Sequence, residues 1–173
     1  VQFNSTGSAN IGQGGITNVV TIAGTGGTLN LRSGGPVDFT NDLVVNASGA
    51  ISTGPIVNGS GNTISIKNII LGNNLTLTNN TTSNYLTLVS SALTMLGNGT
   101  VVANGNLQLN NPIAQTNRLL TKGGAGTLFY NNTDNMASLL LSNTAGAFQW
   151  NYVLANTNPL AVSLTTNVVI LNG

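Results

Sequence analysis

The chain has 173 residues and a net charge of +1, and only 4 % of its residues are charged, against about 25 % in typical soluble domains. Four dispersed cations are too few to follow a phosphate backbone, and no apolar run is long enough for a membrane-spanning helix. We therefore predict neither a nucleic-acid partner nor membrane insertion. His and Cys are absent, which excludes Ser–His and Cys–His catalytic pairs and the usual zinc sites.

Alternation of Val, Ile, Leu and Thr with period two predicts strands along the whole chain, and no window has the apolar spacing of an amphipathic helix. In chain order, the predicted strands cover 19–22, 28–32, 37–40, 43–45, 64–71, 75–78, 85–89, 93–96, 100–103, 107–109, 160–164 and 168–171. Short phrases such as "GTGG", "NASG" and "GNG" separate them and predict tight turns. The predicted fold class is all-β.

The recurrence of a Gly/Asn corner, a short alternating strand and another corner favours a β-solenoid or an intertwined β-fibre. With about 20 residues per coil, the chain would form a rod of roughly 40 Å. Asn side chains at repeated corners would then pair from one coil to the next. The alternative is a β-sandwich with Asn/Gly-rich loops and strand exchange between subunits. Two regions are expected, 1–112 and 113–173, unless the chain is one continuous domain.

One phrase occurs twice, as "LLTKGGAGTLFYN" at 119–131 and as "LLLSNTAGAFQWN" at 139–151. This spacing corresponds to one solenoid coil or to one of two adjacent hairpins. In either case we expect packing or interface roles for the apolar residues of the repeat. These residues are Leu119, Leu120, Tyr130, Leu139, Leu140, Phe148 and Trp150. The alternative for the aromatic residues is a ligand-binding site.

The segments "NRLLTKGGAGTLFYN" (117–131) and "SLLLSNTAGAFQWN" (138–151) resemble the "V-L-x-S-x-x-x-G-x-x-x-W" phrase of viral, including phage, tail-fibre and attachment-fibre proteins. "LTKGGAGTL" (120–128) is also similar to the "LTKxGxGTL" phrase of autotransporter passenger repeats, which are right-handed β-helices. The first copy departs from the fibre pattern because it ends in Tyr130 instead of Trp. Both resemblances imply a repetitive extracellular or virion β-structure that builds a fibre or displays an adhesive surface, and neither implies a catalytic residue.

The carboxylates offer little chemistry. Asp38 and Asp42 in "VDFTND" are four residues apart and could approach each other across a turn. A glycosidase pair is one interpretation of them, and a weak Ca²⁺ site that includes Asn41 is another. The competing interpretation is a turn cap beside a surface carboxylate. We expect no enzyme activity and no cofactor.

The chain contains eight N-x-S/T sequons, a number close to chance for its composition, which would carry glycans only in a glycosylating host. They begin at Asn4, Asn46, Asn58, Asn74, Asn79, Asn80, Asn98 and Asn131.

So little charge disfavours a free monomer, because repulsion between copies keeps proteins apart and charged residues protect strand edges. The leading hypothesis is a non-enzymatic subunit of an extracellular, cell-surface or virion fibre that binds copies of itself. The terminal strands would be donated to a neighbouring copy. Their residues are Val1, Phe3, Val168, Val169 and Ile170. The alternative is an adhesin or carbohydrate-binding module that recognises host-surface glycans or proteins through Tyr85, Tyr130, Trp150 and Tyr152.

Overall fold

The structure is a computed structural model of the chain. It describes residues 2–5, 19–56, 61–82, 84–110, 118–131, 139–151 and 169–171. The predicted strand at 160–164, Val1, Val168, Asn58 and Tyr152 lie outside the described residues.

Fifteen strands account for the regular structure of the described residues. They are β1 (Gln2–Ser5), β2 (Val20–Ile22), β3 (Thr28–Ser33), β4 (Val37–Val45), β5 (Gly49–Pro55), β6 (Thr63–Leu71), β7 (Leu75–Thr81), β8 (Leu86–Met95), β9 (Gly99–Ala103), β10 (Asn106–Leu109), β11 (Arg118–Gly123), β12 (Thr127–Asn131), β13 (Leu139–Asn143), β14 (Ala147–Asn151) and β15 (Val169–Leu171).

Every strand pair is parallel, and the strands alternate between two sheets. The odd-numbered strands form an eight-stranded sheet in the order β1-β3-β5-β7-β9-β11-β13-β15. The even-numbered strands form a seven-stranded sheet in the order β14-β12-β10-β8-β6-β4-β2. Each coil therefore gives one strand to each sheet, and the fold is a β-solenoid. The predicted all-β solenoid is confirmed, and the sandwich alternative is wrong.

Residues that occupy the same position on successive coils form columns. The coils that separate column neighbours differ in length, since Leu86 pairs with Asn106 in a short coil and Gln2 pairs with Asn30 in a longer one. The predicted period of about 20 residues therefore describes only the shortest coils. Both sheets continue across residue 112, because β11 pairs with β9 and β12 pairs with β10.

The core consists of inward-facing columns. In β4, buried and half-buried residues alternate from Val37 to Val45, as period two requires. One column contains Phe39, Ile66, Val89, Leu109 and Tyr130, and each of these side chains is at most 2 % exposed. No single coil could bury such a face alone, so stability depends on stacking.

The structure differs from the predicted strand ranges in three ways, of which the first is that β11 to β14 lie within 118–151, where no strand range was predicted. The segments predicted at 37–40 and 43–45 form the single strand β4, and those predicted at 85–89 and 93–96 lie almost entirely within β8. The register shifts between Phe39 and Asp42, and again between Ile66 and Asn68, so the polar interruption is a bulge and not a turn. Strand β5 was not predicted, because "GAISTGP" has the composition of a loop.

The terminal strands pair within the chain. Phe3 in β1 pairs with Leu31 of β3, and Val169 and Ile170 in β15 pair with Leu141 and Ser142 of β13. Neither strand is detached for donation to a neighbour. Each instead forms one edge of the eight-stranded sheet.

Two phenylalanines test the assignment of inner and outer faces. Phe39 is 2 % exposed in the core, whereas Phe129 lies between buried Leu128 and Tyr130 and is only half-buried. We expect Phe39→Ala to lower the free energy of unfolding by about 3–5 kcal/mol, because it opens a cavity in the core. The matched Phe129→Ala should lower it by about 1 kcal/mol or less. Urea unfolding followed by circular dichroism measures both, and equal losses would contradict the assignment.

Candidate functional site

The two described carboxylates, Asp38 and Asp42, do not form a site. Asp38, Asn41 and Asp42 lie within strand β4, where Asn41 points inward and is 2 % exposed while the two aspartates lie on the outward positions. No turn brings them together, so the predicted turn cap and the predicted approach across a turn are both wrong. The described residues contain no group of three or more His, Cys, Asp or Glu side chains that could hold a metal ion.

Asp42 instead belongs to a short ladder beside the bulge. The Asn68 Nδ2 donates a hydrogen bond of 2.7 Å to the Asp42 Oδ1. The Asn68 Oδ1 accepts one of 3.0 Å from the backbone N–H of Ala92 on the next coil. One Asn–Asn pair between neighbouring coils matches the predicted pairing of Asn side chains: Asn104 Nδ2 donates to Asn80 Oδ1 at 2.9 Å. Neutral amides thus connect successive coils where other proteins would use salt bridges.

The repeated phrase forms two consecutive coils and not two hairpins. Strand β11 pairs in parallel with β13, so that Leu119 and Leu120 lie beside Leu140 and Leu141. Strand β12 pairs with β14, so that Leu128 lies beside Phe148, and Tyr130 beside Trp150. The sequence separation of paired residues is therefore one residue longer between β11 and β13 than between β12 and β14. The reason is that the segment from Asn143 to Ala147 is one residue shorter than the segment from Lys122 to Thr127.

The inward positions of this repeat differ from the predicted set. Leu120 and Leu141 are buried, whereas Leu119 and Leu140 are half-buried on the outward face. Leu139 pairs with Arg118 through its backbone. Phe148 is partly buried and packs against the core. The two copies have equal length in the sequence, but their first strands pair with a shift of one residue relative to their second strands. Such a shift moves a side chain to the opposite face of a strand.

Two of the proposed ligand-binding aromatic residues are core residues. Tyr85 is 2 % exposed and donates its hydroxyl to the Ser33 carbonyl at 3.3 Å, and Tyr130 is 1 % exposed. Neither ring can stack on a ligand at the surface. An adhesive role for these two residues is therefore wrong.

The sequons occupy different environments. Asn46, Asn74, Asn80 and Asn98 are exposed, Asn131 is half-buried, and Asn4 lies in β1. Asn79 is fully buried and donates to Thr81 Oγ1 at 2.7 Å, so a glycan at Asn79 is incompatible with the fold.

A buried network of threonine hydroxyl groups joins strands β5, β7 and β8. Thr87 Oγ1 lies 2.7 Å from the hydroxyl oxygens of both Thr53 and Thr81. Thr53 and Thr87 are fully buried, so this network satisfies polar groups that would otherwise be costly in a core. The inward positions of Thr53 and Thr87 follow from the alternation of buried residues along β5 and β8.

The outer face of the eight-stranded sheet carries a hydroxyl column. Thr76, Thr100, Thr121 and Ser142 are in register on four successive strands. Ser48 lies next to Thr76 at one end of this column, and its Oγ accepts a hydrogen bond of 3.0 Å from the Thr76 N–H. A shallow groove of about 380 Å³ runs beside it, lined in part by Thr25, Ser48, Thr76, Thr78 and Asn80. The groove presents neutral donors and acceptors.

One end of the seven-stranded sheet is open among the described residues. Strand β2 pairs with β4 on one side only. A cavity of about 630 Å³ lies at this end and is lined by residues 19–29, among them Val19, Val20, Ile22 and Leu29. Val19 is 55 % exposed. This end thus combines apolar surface with a free strand edge.

Lys122 is fully buried in the inward column that contains Leu77, Val101 and Asn143. Its Nζ donates hydrogen bonds of 2.7 Å to the carbonyl oxygens of Gly124 and Gly126, and a further one to the carbonyl of Ala145. The described carboxylates, Asp38 and Asp42, both lie on β4. Arg118, the other cation of β11, donates a hydrogen bond to the Met95 carbonyl. Sequence reasoning missed this site, although alternation from Leu120 places Lys122 inward.

Comparisons with known proteins add no family. No family model, no curated protein and no solved structure matches the chain. In the part of the chain that the structure describes, no helix is long and apolar enough to cross a membrane.

The buried amine predicts a pH dependence. Burial lowers the pKa of Lys122 below its ordinary value of 10.5. Between the folded pKa and 10.5, the unfolded chain binds more protons than the folded chain, so the free energy of unfolding increases with pH in that window. We expect the urea midpoint of the parent chain to rise relative to that of Lys122→Met as the pH increases towards 10.5. Identical pH profiles for the two chains would contradict this.

Proposed function

We propose that the chain is a non-enzymatic structural section of an extracellular or virion fibre, which associates with copies of itself through the ends of its solenoid. The observation that carries the proposal is the open end at β2. Among the described residues, β2 has one unpaired edge there, beside a cavity of about 630 Å³ whose lining includes Val19, Val20 and Ile22.

The geometry of a parallel solenoid favours this type of association. In a parallel solenoid, the N–H and C=O groups at the edge of a terminal coil have the same arrangement as those with which an internal coil pairs to the next coil. A second copy stacked on the end would therefore extend both sheets without a new kind of contact. Val19 and Val20 would lose exposed apolar surface in the same step.

The charge distribution supports the same proposal. Edge strands of soluble proteins are usually protected by charged residues, Lys above all. Strand β2 has the sequence Val-Thr-Ile, and the corner that follows it, residues 23–27, contains Ala, Gly and Thr alone. With a net charge of +1, the chain also has little long-range repulsion to oppose association.

A lysine on the open edge tests the proposal. Thr21 is exposed on β2, and its column neighbour Val44 lies one coil further inside. We expect the parent chain to associate with increasing concentration in sedimentation velocity and to form rods in electron micrographs. Thr21→Lys should weaken association by about tenfold or more, which corresponds to about 1.4 kcal/mol.

Val44→Lys is the matched control, because it adds the same charge on the outer face of a strand that is paired on both sides. It should associate like the parent chain. Equal association of the two lysine variants would exclude the β2 edge as the interface. A parent chain that stays monomeric at all concentrations would refute the proposal itself.

A second candidate function is recognition of neutral glycans by the outer face of the eight-stranded sheet. The groove beside Ser48, Thr76 and Thr78 favours it, because hydroxyl groups bind uncharged sugars through hydrogen bonds. A double variant, Thr76→Val with Thr78→Val, should lose binding on a glycan array, whereas Thr127→Val on the other sheet should retain it. Absence of binding by the parent chain would eliminate this candidate.

A further inference from the structure

Two consecutive corners place three carbonyl oxygens around one point in the interior. Gly124 and Gly126 belong to the corner between β11 and β12, and Ala145 belongs to the corner between β13 and β14, one coil further on. The Gly126 carbonyl also accepts a hydrogen bond of 3.3 Å from the Ala147 N–H, so the Lys122 amine is a second donor to this oxygen.

We propose that these corners form a binding site for a primary ammonium group, and that the ammonium of Lys122 is its built-in ligand. The number of hydrogen bonds carries the assignment. An ammonium group has three N–H donors and no acceptor, and here it meets three carbonyl oxygens. A neutral amine has only two N–H donors and could not donate to all three carbonyls.

The backbone is shaped for this site. Gly124 and Gly146 have φ values of 80° and 68°, in the left-handed region that favours glycine. A Cβ atom at Gly146 would overlap the carbonyl oxygens of Gly124 and Gly126 and the Lys122 Nζ. The corner therefore approaches the ammonium more closely than any residue with a side chain would allow.

A further acceptor lies on the neighbouring coil. Asn143 is the column neighbour of Lys122, and its Nδ2 donates to the Gly146 carbonyl at 3.2 Å. Its Oδ1 is buried and has no hydrogen-bond partner. Asn143 thus holds the corner of its own coil, beside the column position of Lys122.

The site would fix the register of two coils. One ammonium joins the corner of its own coil to the corner of the next, so a single lysine serves two copies of the repeated phrase. This explains why the first copy has Lys122 where the second copy, in register, has Asn143. The inference does not depend on the proposed fibre function.

Replacement of the tethered ligand by a free one is the direct test. Lys122→Ala removes Cγ, Cδ, Cε and the ammonium, and n-propylammonium reproduces this group of atoms. The urea midpoint of Lys122→Ala should be lower than that of the parent chain. It should then rise with n-propylammonium chloride and reach a plateau, as binding to the folded state requires. Tetramethylammonium chloride at the same concentration has the charge but no N–H donor, and should not restore stability.

Lys67→Ala is the control, because Lys67 is exposed and its removal leaves no such site. Its midpoint should respond alike to the two salts. Equal restoration of Lys122→Ala by both salts would overturn the proposal, and so would a Lys122→Ala chain as stable as the parent.

A measurement on the parent chain applies if Lys122→Ala does not fold in either salt. Acetylation of the folded chain by an N-hydroxysuccinimide ester, mapped by mass spectrometry, should modify Lys67 readily. Lys122 should react more slowly by on the order of 100-fold, because reaction requires opening of the corner. Similar rates at Lys67 and Lys122 would overturn the proposal.

Discussion

The parallel backbone ladder between successive coils is the constraint on which the rest of the structure depends. Every described strand pairs only with strands of neighbouring coils in its own sheet, so each coil supplies the hydrogen-bond partners of the next. Columns of residues in register follow from this pairing, and the inward columns become the core. The same constraint leaves a free edge wherever the stack stops, and in the part of the chain that the structure describes β2 is such an edge.

Several side chains in the interior are polar, and most of their hydrogen-bond partners are neutral groups. Thr53, Thr81 and Thr87 share hydroxyl hydrogen bonds, and Asn68 bridges two neighbouring coils through its amide. These contacts avoid the desolvation of ion pairs, which a chain with 4 % charged residues seldom uses. Lys122 is the exception, since its charge is buried and its hydrogen-bond partners are main-chain carbonyls.

The sequence alone predicted the fold class and most strands, because alternation reports which face of a strand is buried. It failed at β5, whose Gly, Ser, Thr and Pro residues are typical of loops but which is held on both sides by β3 and β7. It also failed where a bulge continues a strand through polar residues, as at Asn41. A local pattern cannot report pairing with a segment that lies a whole coil away in the chain.

The sites were harder to predict than the fold, for a related reason. The alternative hypothesis gave Tyr85 and Tyr130 a ligand-binding role, but period two places both in the core. Lys122 precedes glycines and has the local sequence of an exposed turn. The carbonyl groups to which its Nζ donates nevertheless come from two different coils. Sites assembled across coils depend on the coil length, which differs from one coil to another and has no marker in the sequence.

The central claim is that the chain is a parallel stack in register, and spin labels can measure it directly. The chain has no Cys, so labels can be attached in pairs at Thr76 with Thr100, Thr121 or Ser142, which are all outward members of one column. Their backbones should be separated by about 5, 10 and 14 Å, because each coil adds one strand spacing. Dipolar broadening in the electron paramagnetic resonance spectrum should therefore decrease in that order. Broadening that does not follow the order of the coils would contradict the stack.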